Sequence, residues 1–143
     1  MMTQEMQAKL KRSLVLHEGR KNFPYDDGLG NITIGIGYNL TARGLSDEWV
    51  DTQYNQDVAY FYNRLMDDFF WFKDLNIDRQ IVLVDMCFMG YKKFLSFKKM
   101  LGFLAESDYK NTAKEMLDSE WAKQTKGRAE KLACAMEEGE YHV

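Results

Sequence analysis

The stretch EGRKNFPYDDGLGNITIGIGY, residues 18–38, differs from the rest of the chain and decides the fold class. Within it, Asp27-Gly28 and Gly30-Asn31 are turn signals, and the β-branched residues between 32 and 36 favour extended structure. Upstream, Thr3 is a suitable N-cap, after which apolar residues recur at helical spacing. We therefore predict a helix followed by a small antiparallel hairpin or three-stranded sheet.

The sequence after this stretch has a helical pattern. Ser46 is a suitable N-cap, followed by acidic residues that the helix dipole favours, and a long helix is predicted to end near Met66. The segment 77–89 is almost continuously apolar, which predicts a helix that is buried nearly all round and is ended by Gly90. The remaining patterns predict helices over 92–105, 107–117 (with Ser107 as N-cap) and 127–137, and a short turn over 119–122.

Together these elements predict an α+β architecture in a single domain, residues 1–143. A small β-lobe would cover about 19–45, and a larger helical lobe would combine about 1–18 with 46–143. A cleft between two such lobes would be the natural ligand site.

The charge of the chain restricts its partners. The formal net charge of −3 gives no reason to expect nucleic-acid binding. Lys92, Lys93, Lys98 and Lys99 are interpreted as solvating helix faces, with a local basic face for a polyanion left open.

Two cysteines, Cys87 and Cys134, lie in apolar helical patterns and are predicted to be buried free thiols, with a single disulfide left open. The sequence has no Cys/His cluster with metal-ligand spacing. Residues 1–16 lack an apolar run long enough for a signal peptide or a membrane span, so we expect synthesis in the cytoplasm and no stable membrane insertion.

Glu18, Asp27 and Thr33 bring two carboxyl groups and a hydroxyl into one glycine-rich segment. Such a set can cleave a glycosidic bond, because one carboxyl group donates a proton, the other activates water, and a polar residue holds that water. Glu18 ends the predicted helix, where the dipole disfavours negative charge and favours the protonated acid. Each residue also has a purely structural interpretation, as a solvated Glu, a turn Asp and a strand Thr. Asp26 is left open as an alternative to Asp27.

The spacing of these residues resembles that of the phage-type lysozymes, endolysins that cut bacterial peptidoglycan. In that family a helix ends in Glu-Gly, and Tyr, Asp, Gly and a Thr-Ile-Gly-Tyr/Ile-Gly element follow at fixed distances. Further similar segments are Asn55–Val58, Met86–Gly90 and a Trp…Gln-Thr…Arg-Ala signature near the C-terminus, so the resemblance covers nearly the whole chain. The matching residues here are Glu18-Gly19, Tyr25, Asp27, Gly30, Thr33–Gly37, Trp121, Gln124-Thr125 and Arg128-Ala129.

The resemblance implies an inverting muramidase that needs no cofactor or metal. Glu18 would be the general acid, and Asp27 and Thr33 would position the attacking water. Arg128 would orient Glu18 and favour its ionised form, in opposition to the helix dipole. Tyr25, Gly30 and Gln124 would contact substrate, and Phe23 is a further aromatic candidate for a sugar ring.

Two departures from the family pattern affect stability and cleft shape. Tyr38 occupies the position where the family often has a His that pairs with the Asp matching Asp57. We expect a Tyr38 hydroxyl bond to that carboxylate, or no bond at all. The segment between Leu40 and Leu45 is short, which predicts a minimal β-lobe and an open cleft.

Two other functions remain open at this point: a lytic transglycosylase, which uses the same acid but forms an anhydro ring, and a non-catalytic wall-binding domain on the same fold. The resemblance implies that the partner is the glycan strand of peptidoglycan and that the protein is a monomer. By resemblance, it would be made in the host bacterial cytoplasm and released through a holin-type membrane protein, or else carried in a phage particle.

Overall fold

The computed structural model describes all residues 1–143, which divide into two compact units, Met1–Gln53 and Tyr54–Val143. The predicted α+β class is confirmed, with many helices and one three-stranded antiparallel sheet. The sequence analysis assigned residues 1–18 to the helical lobe, whereas here they group with the sheet. The grouping follows the chain, because the first helix leads through Gly19 directly into the first strand.

The first unit begins with the predicted helix and sheet. Thr3 caps the first helix by accepting a hydrogen bond from the Met6 amide, as predicted. The strands pair in the order β1-β2-β3. The elements are α1 (Gln4–Glu18), β1 (Lys21–Asp26), β2 (Ile32–Gly35), β3 (Tyr38–Asn39) and a short helix α2 (Leu40–Arg43) that the sequence analysis missed.

The register of the sheet positions the site residues. Tyr25 pairs with Thr33, and Thr33 pairs in turn with Asn39. The β1–β2 register shifts between Lys21 and Tyr25. Pro24 lies in this interval, and its lack of an amide proton explains why the ladder is irregular there.

The helix α3 (Asp47–Asp68) begins in the first unit and is capped by Ser46 as predicted, with its hydroxyl accepting from the Trp49 amide at 3.1 Å. The second unit contains the rest of the chain. After a 3₁₀ turn at Phe72–Asp74 come α4 (Ile77–Cys87), α5 (Tyr91–Leu95), α6 (Lys98–Ala105), α7 (Tyr109–Leu117), α8 (Glu120–Thr125) and α9 (Gly127–Glu138).

The hydrophobic core of the second unit is centred on α4. Its buried residues Val82, Leu83, Met86 and Cys87 pack with buried side chains from the other helices of this unit. The prediction that this helix is buried nearly all round is wrong, because Ile77 and Ile81 are exposed on its other face. The core includes Leu65, Phe72, Phe94, Met100, Leu104, Met116, Trp121, Leu132 and Met136.

Three other local predictions need correction. The helix predicted over 92–105 is broken between α5 and α6, where Ser96 turns its hydroxyl back to the carbonyl of Lys93. The predicted turn over 119–122 is instead the start of α8, which Ser119 caps. Cys134 is exposed, whereas Cys87 is buried as predicted, and both are free thiols.

Candidate active site

Glu18 is the last residue of α1 and is exposed. Gly19 follows with φ +78°, and its amide donates to the carbonyl of Val15 at 2.9 Å, which closes the helix. A glycine is favoured here because this left-handed conformation strains other residues. The Glu18 side chain lies against the backbone of Gly37, at the end of the Gly-x-Gly element.

The Asp27 carboxylate closes the turn between β1 and β2. Its Oδ1 accepts from the amides of Leu29 at 2.7 Å and Asn31 at 3.2 Å, and its Oδ2 accepts from the Asn31 side chain at 3.1 Å. These bonds, that from the Leu29 amide foremost, lower the pKa of Asp27 below its ordinary value. The group is therefore held as a carboxylate, the form that a base requires.

Thr33 is the one residue buried in the first unit, with 6% of its surface exposed. Its hydroxyl makes no hydrogen bond within the protein. Every side-chain oxygen that is fully buried in this structure does have a hydrogen-bond partner. The hydroxyl oxygen must therefore be reachable by water although the rest of the side chain is covered. A hydroxyl in this situation can hold a water molecule.

The sheet register separates the two neighbouring aspartates. Asp26 pairs with Ile32, and its side chain accepts from the Gly28 amide at 2.8 Å. Tyr25 pairs with Thr33, so these two side chains share the opposite face of the sheet. Asp27 lies just beyond the end of β1, in the turn that its own carboxylate closes.

The predicted substrate residues of the first unit lie in the same region. Tyr25 is half-buried opposite Thr33, and Phe23 is 81% exposed on β1. Gly30 has φ +87° in the turn that Asp27 closes, and a Cβ there would meet only open space. Gly30 is thus required by the backbone conformation of the turn rather than by close approach of another group.

Tyr38 stabilises the connection that follows β3. Its hydroxyl donates to the carbonyl of Gly44 at 2.6 Å, and the guanidinium of Arg43 lies 4.3 Å from its ring centroid. The single phenolic proton is therefore committed to a backbone carbonyl and not to a carboxylate, contrary to the first of the two expectations.

Arg128 belongs to the second unit and is held by Asp85 of α4. Its Nε and Nη2 donate to Asp85 Oδ1 at 3.0 and 2.6 Å, and Nη2 also donates to the Asp85 carbonyl at 3.0 Å. The sequence analysis did not find Asp85, since no spacing rule links positions 43 residues apart. Gln124 is exposed on α8.

The ion pair of Arg128 and Asp85 borders an apolar groove of about 830 Å³ within the second unit. The groove runs along α3 and α4. The sequence did not reveal it, because the same helical patterns of apolar residues also predict burial in the core. Among its lining residues are Tyr54, Tyr62, Ile81, Val84 and Phe88.

No group of three or more His, Cys, Asp or Glu side chains lies together in a way that could hold a metal ion. No helix is long and apolar enough to cross a membrane.

Comparison with known proteins identifies relatives of this chain. It is 25% identical to "Probable T4-type lysozyme 2" of Dictyostelium discoideum, in an alignment of 164 residues that covers 94% of this chain and 96% of the relative. It is 33% identical over 69 residues to "Probable T4-type lysozyme 1" of the same organism, which covers 48% of this chain and 41% of that relative. No protein-family profile matches the chain. The similarity along nearly the full length of both chains, together with the helix-rich α+β fold, supports a phage-type lysozyme family for this chain.

Proposed function

We propose that this chain is a glycoside hydrolase that cleaves the β-1,4 bond between N-acetylmuramic acid and N-acetylglucosamine in peptidoglycan. Similarity to the T4-type lysozymes supports the class of enzyme. The residues of the first unit support the mechanism, one step at a time.

Glu18 is the proposed general acid. It is exposed at the end of α1, so a glycosidic oxygen can approach its carboxyl group. Protonation of that oxygen by Glu18 breaks the bond to the anomeric carbon and leaves an oxocarbenium-like sugar.

Asp27 and Thr33 are the proposed water site. The single observation that carries this step is the uncommitted, water-accessible hydroxyl of an otherwise buried Thr33. Thr33 would hold the water while Asp27 takes its proton. Attack from the face opposite the leaving group inverts the anomeric centre, which requires carboxyl groups roughly 6.5–9.5 Å apart.

The supporting roles follow the resemblance. Tyr25 and Gly30 would contact the glycan near the water site. Gln124 would bind substrate, and Arg128, which Asp85 holds, would have a supporting role.

A lytic transglycosylase is the second candidate. It needs the acid but no activated water, because the sugar's own hydroxyl closes the anhydro ring. The ionised Asp27 and the accessible Thr33 hydroxyl favour hydrolysis over ring closure.

The test is digestion of purified peptidoglycan in water enriched in the heavy oxygen isotope, with immediate reduction and mass spectrometry of the fragments. We expect the label at reducing-end muramic acid from the wild type, and a loss of at least about 100-fold in rate for Glu18→Gln. Glu5→Gln, on the first turn of the same helix, is the matched control and should keep the wild-type rate. Unlabelled anhydro ends would establish transglycosylation, and tight binding without released saccharide would establish a binding domain.

The biological setting is a separate proposal. The two relatives are from Dictyostelium discoideum and not from a phage. We propose host-cell lysis by a phage, with release of a monomeric enzyme through a holin-type protein. Bacteria that express the chain alone should lyse only after their membrane is permeabilised, and lysis without permeabilisation would contradict this route.

A further inference from the structure

Gly37 is the residue against which the Glu18 side chain packs. A Cβ built on Gly37 would lie 3.0 Å from Glu18 Oε2 and 3.1 Å from both Cδ and Cγ. Contacts of this length are tighter than nearly all contacts that real Cβ atoms make, so the Glu18 side chain would have to move aside. The carboxyl group therefore occupies space that is open only because residue 37 has no side chain.

Gly35 provides a comparison within the same Gly-x-Gly element. Its φ is +67°, nearly equal to the +65° of Gly37, so an L-residue is strained to a similar degree at either position. A Cβ on Gly35 would meet no atom within 4 Å. Both glycines thus have a positive φ that favours glycine, but only at Gly37 would a side chain also collide with Glu18.

The contact matters because little else holds the acid. Within the first unit the Glu18 carboxyl group makes no hydrogen bond and no ion pair, and the residue is exposed at a helix end. A long, exposed side chain of this kind samples several rotamers. Packing against the bare Cα of Gly37 restricts those rotamers.

We propose that Gly37 is a positioning residue for Glu18. Because Gly37 has no side chain, the Glu18 carboxyl group packs against its Cα and is fixed toward the bond to be cleaved. This inference rests on the proposed function, since it assumes that Glu18 is the acid. A displaced acid would protonate the glycosidic oxygen poorly while leaving the sugar contacts in place. A misplacement of about 1 Å costs on the order of 100-fold in rate.

The test compares Gly37→Ala with Gly35→Ala. Both should lower Tm by a similar amount because the backbone strain is matched. We expect kcat to fall about 100-fold in Gly37→Ala and by less than about 5-fold in Gly35→Ala, with KM little changed in either. Equal kcat losses in the two folded variants would overturn the proposal.

Rescue by a shorter acid separates positioning from general damage. Glu18→Asp withdraws the carboxyl group from the space that an added Cβ would fill. In the Glu18→Asp background, Gly37→Ala should therefore cost less than about 5-fold in kcat. A full 100-fold loss there, additive with the loss from Glu18→Asp, would overturn the proposal.

If Gly37→Ala does not fold, the pair Gly37→Asn and Gly35→Asn replaces it, because Asn adopts positive φ more readily and carries the same Cβ. The expected and contradicting results are the same. Failure of the proposed function is recognised independently, since Glu18→Gln would then retain wild-type activity. If Glu18→Gln were inactive but the effects of Glu18→Asp and Gly37→Ala on kcat were additive, only the proposed role of Gly37 would be overturned.

Discussion

At the scale of single residues, Asp26 and Asp27 show how neighbouring carboxylates acquire different environments. Asp26 accepts one amide hydrogen bond, whereas Asp27 accepts three bonds from Leu29 and Asn31. Asp26 is also the last residue of β1 and pairs with Ile32, whereas Asp27 lies beyond the strand in the turn. Position relative to the end of the strand, and not residue type, therefore distinguishes the proposed base from its neighbour.

Asp27→Asn should lower the rate of wall hydrolysis by at least about 100-fold, because an amide cannot take the proton from water. Asp26→Asn is the matched control, with the same chemical change at the neighbouring carboxylate, and should stay within a few-fold of wild type. Initial rates on purified peptidoglycan would measure both. If Asp26→Asn proved the more damaging change, the assignment of the base would be reversed.

A second residue-scale feature is the bond from the Tyr91 hydroxyl to Asp68 Oδ2, at 2.7 Å. This bond, assisted by Arg64, lowers the pKa of Asp68 below its ordinary value. A carboxyl group with a lowered folded-state pKa contributes stability above its unfolded pKa of about 4. That contribution is lost as the pH falls through the folded-state pKa, because the unfolded state binds more protons in this window.

Tyr91→Phe should therefore lower Tm at pH 7 and reduce the steepness of the fall in Tm between about pH 4 and pH 2. Tyr109→Phe is the control, since the Tyr109 ring lies 3.7 Å from the Arg79 guanidinium but its hydroxyl makes no hydrogen bond within the protein. A pH series of thermal unfolding curves would measure the difference. An unchanged acid slope in Tyr91→Phe would show that this bond does not set the Asp68 pKa.

At the scale of secondary structure elements, the start of α7 shows why a capping residue cannot always be chosen from sequence. Ser107 was predicted to cap this helix, but the cap is Asp108, whose side chain accepts from the Asn111 amide at 3.1 Å. Ser107 instead takes the left-handed conformation, φ 57°. The reason is that Asp108 donates its amide to the carbonyl of Phe103, which closes α6 and displaces the start of α7 by one residue.

Asp108→Ala should lower Tm by roughly 2–5 °C, because it removes the cap and the bond to the Asn111 side chain. Ser107→Ala, which leaves the observed cap in place, should change Tm by less than about 1 °C. Differential scanning calorimetry of the two variants would test this. The opposite order of effects would restore Ser107 as the cap.

At the scale of the whole molecule, the two units differ in how they are stabilised. The second unit contains every buried apolar side chain, from Leu65 to Met136. Residues 1–53 bury no apolar side chain, and Thr33 is their one buried residue. Local hydrogen bonds and strand pairing alone rarely stabilise a chain of this size.

A fragment of residues 46–143, which retains the Ser46 cap, should therefore be helical and unfold cooperatively. A fragment of residues 1–53 should be largely unfolded, since it has no core to offset the loss of conformational entropy. Circular dichroism and thermal melts of both fragments would measure this. A cooperative melt of the shorter fragment would show that the sheet region is stable without a core of its own.

The sequence by itself determined the helix-to-sheet transition at residues 18–38, the caps at Thr3 and Ser46, and the resemblance to lysozymes, because these depend on residues close together in the chain. The tertiary structure decided what depends on distant residues. Asp85 holds Arg128 across 43 positions, Tyr38 donates to a carbonyl rather than a carboxylate, and the Glu18 side chain occupies the space above Gly37. Local patterns set the backbone through short-range sterics and hydrogen bonds, whereas the partner of a side chain is chosen only when the folded chain brings distant atoms into contact.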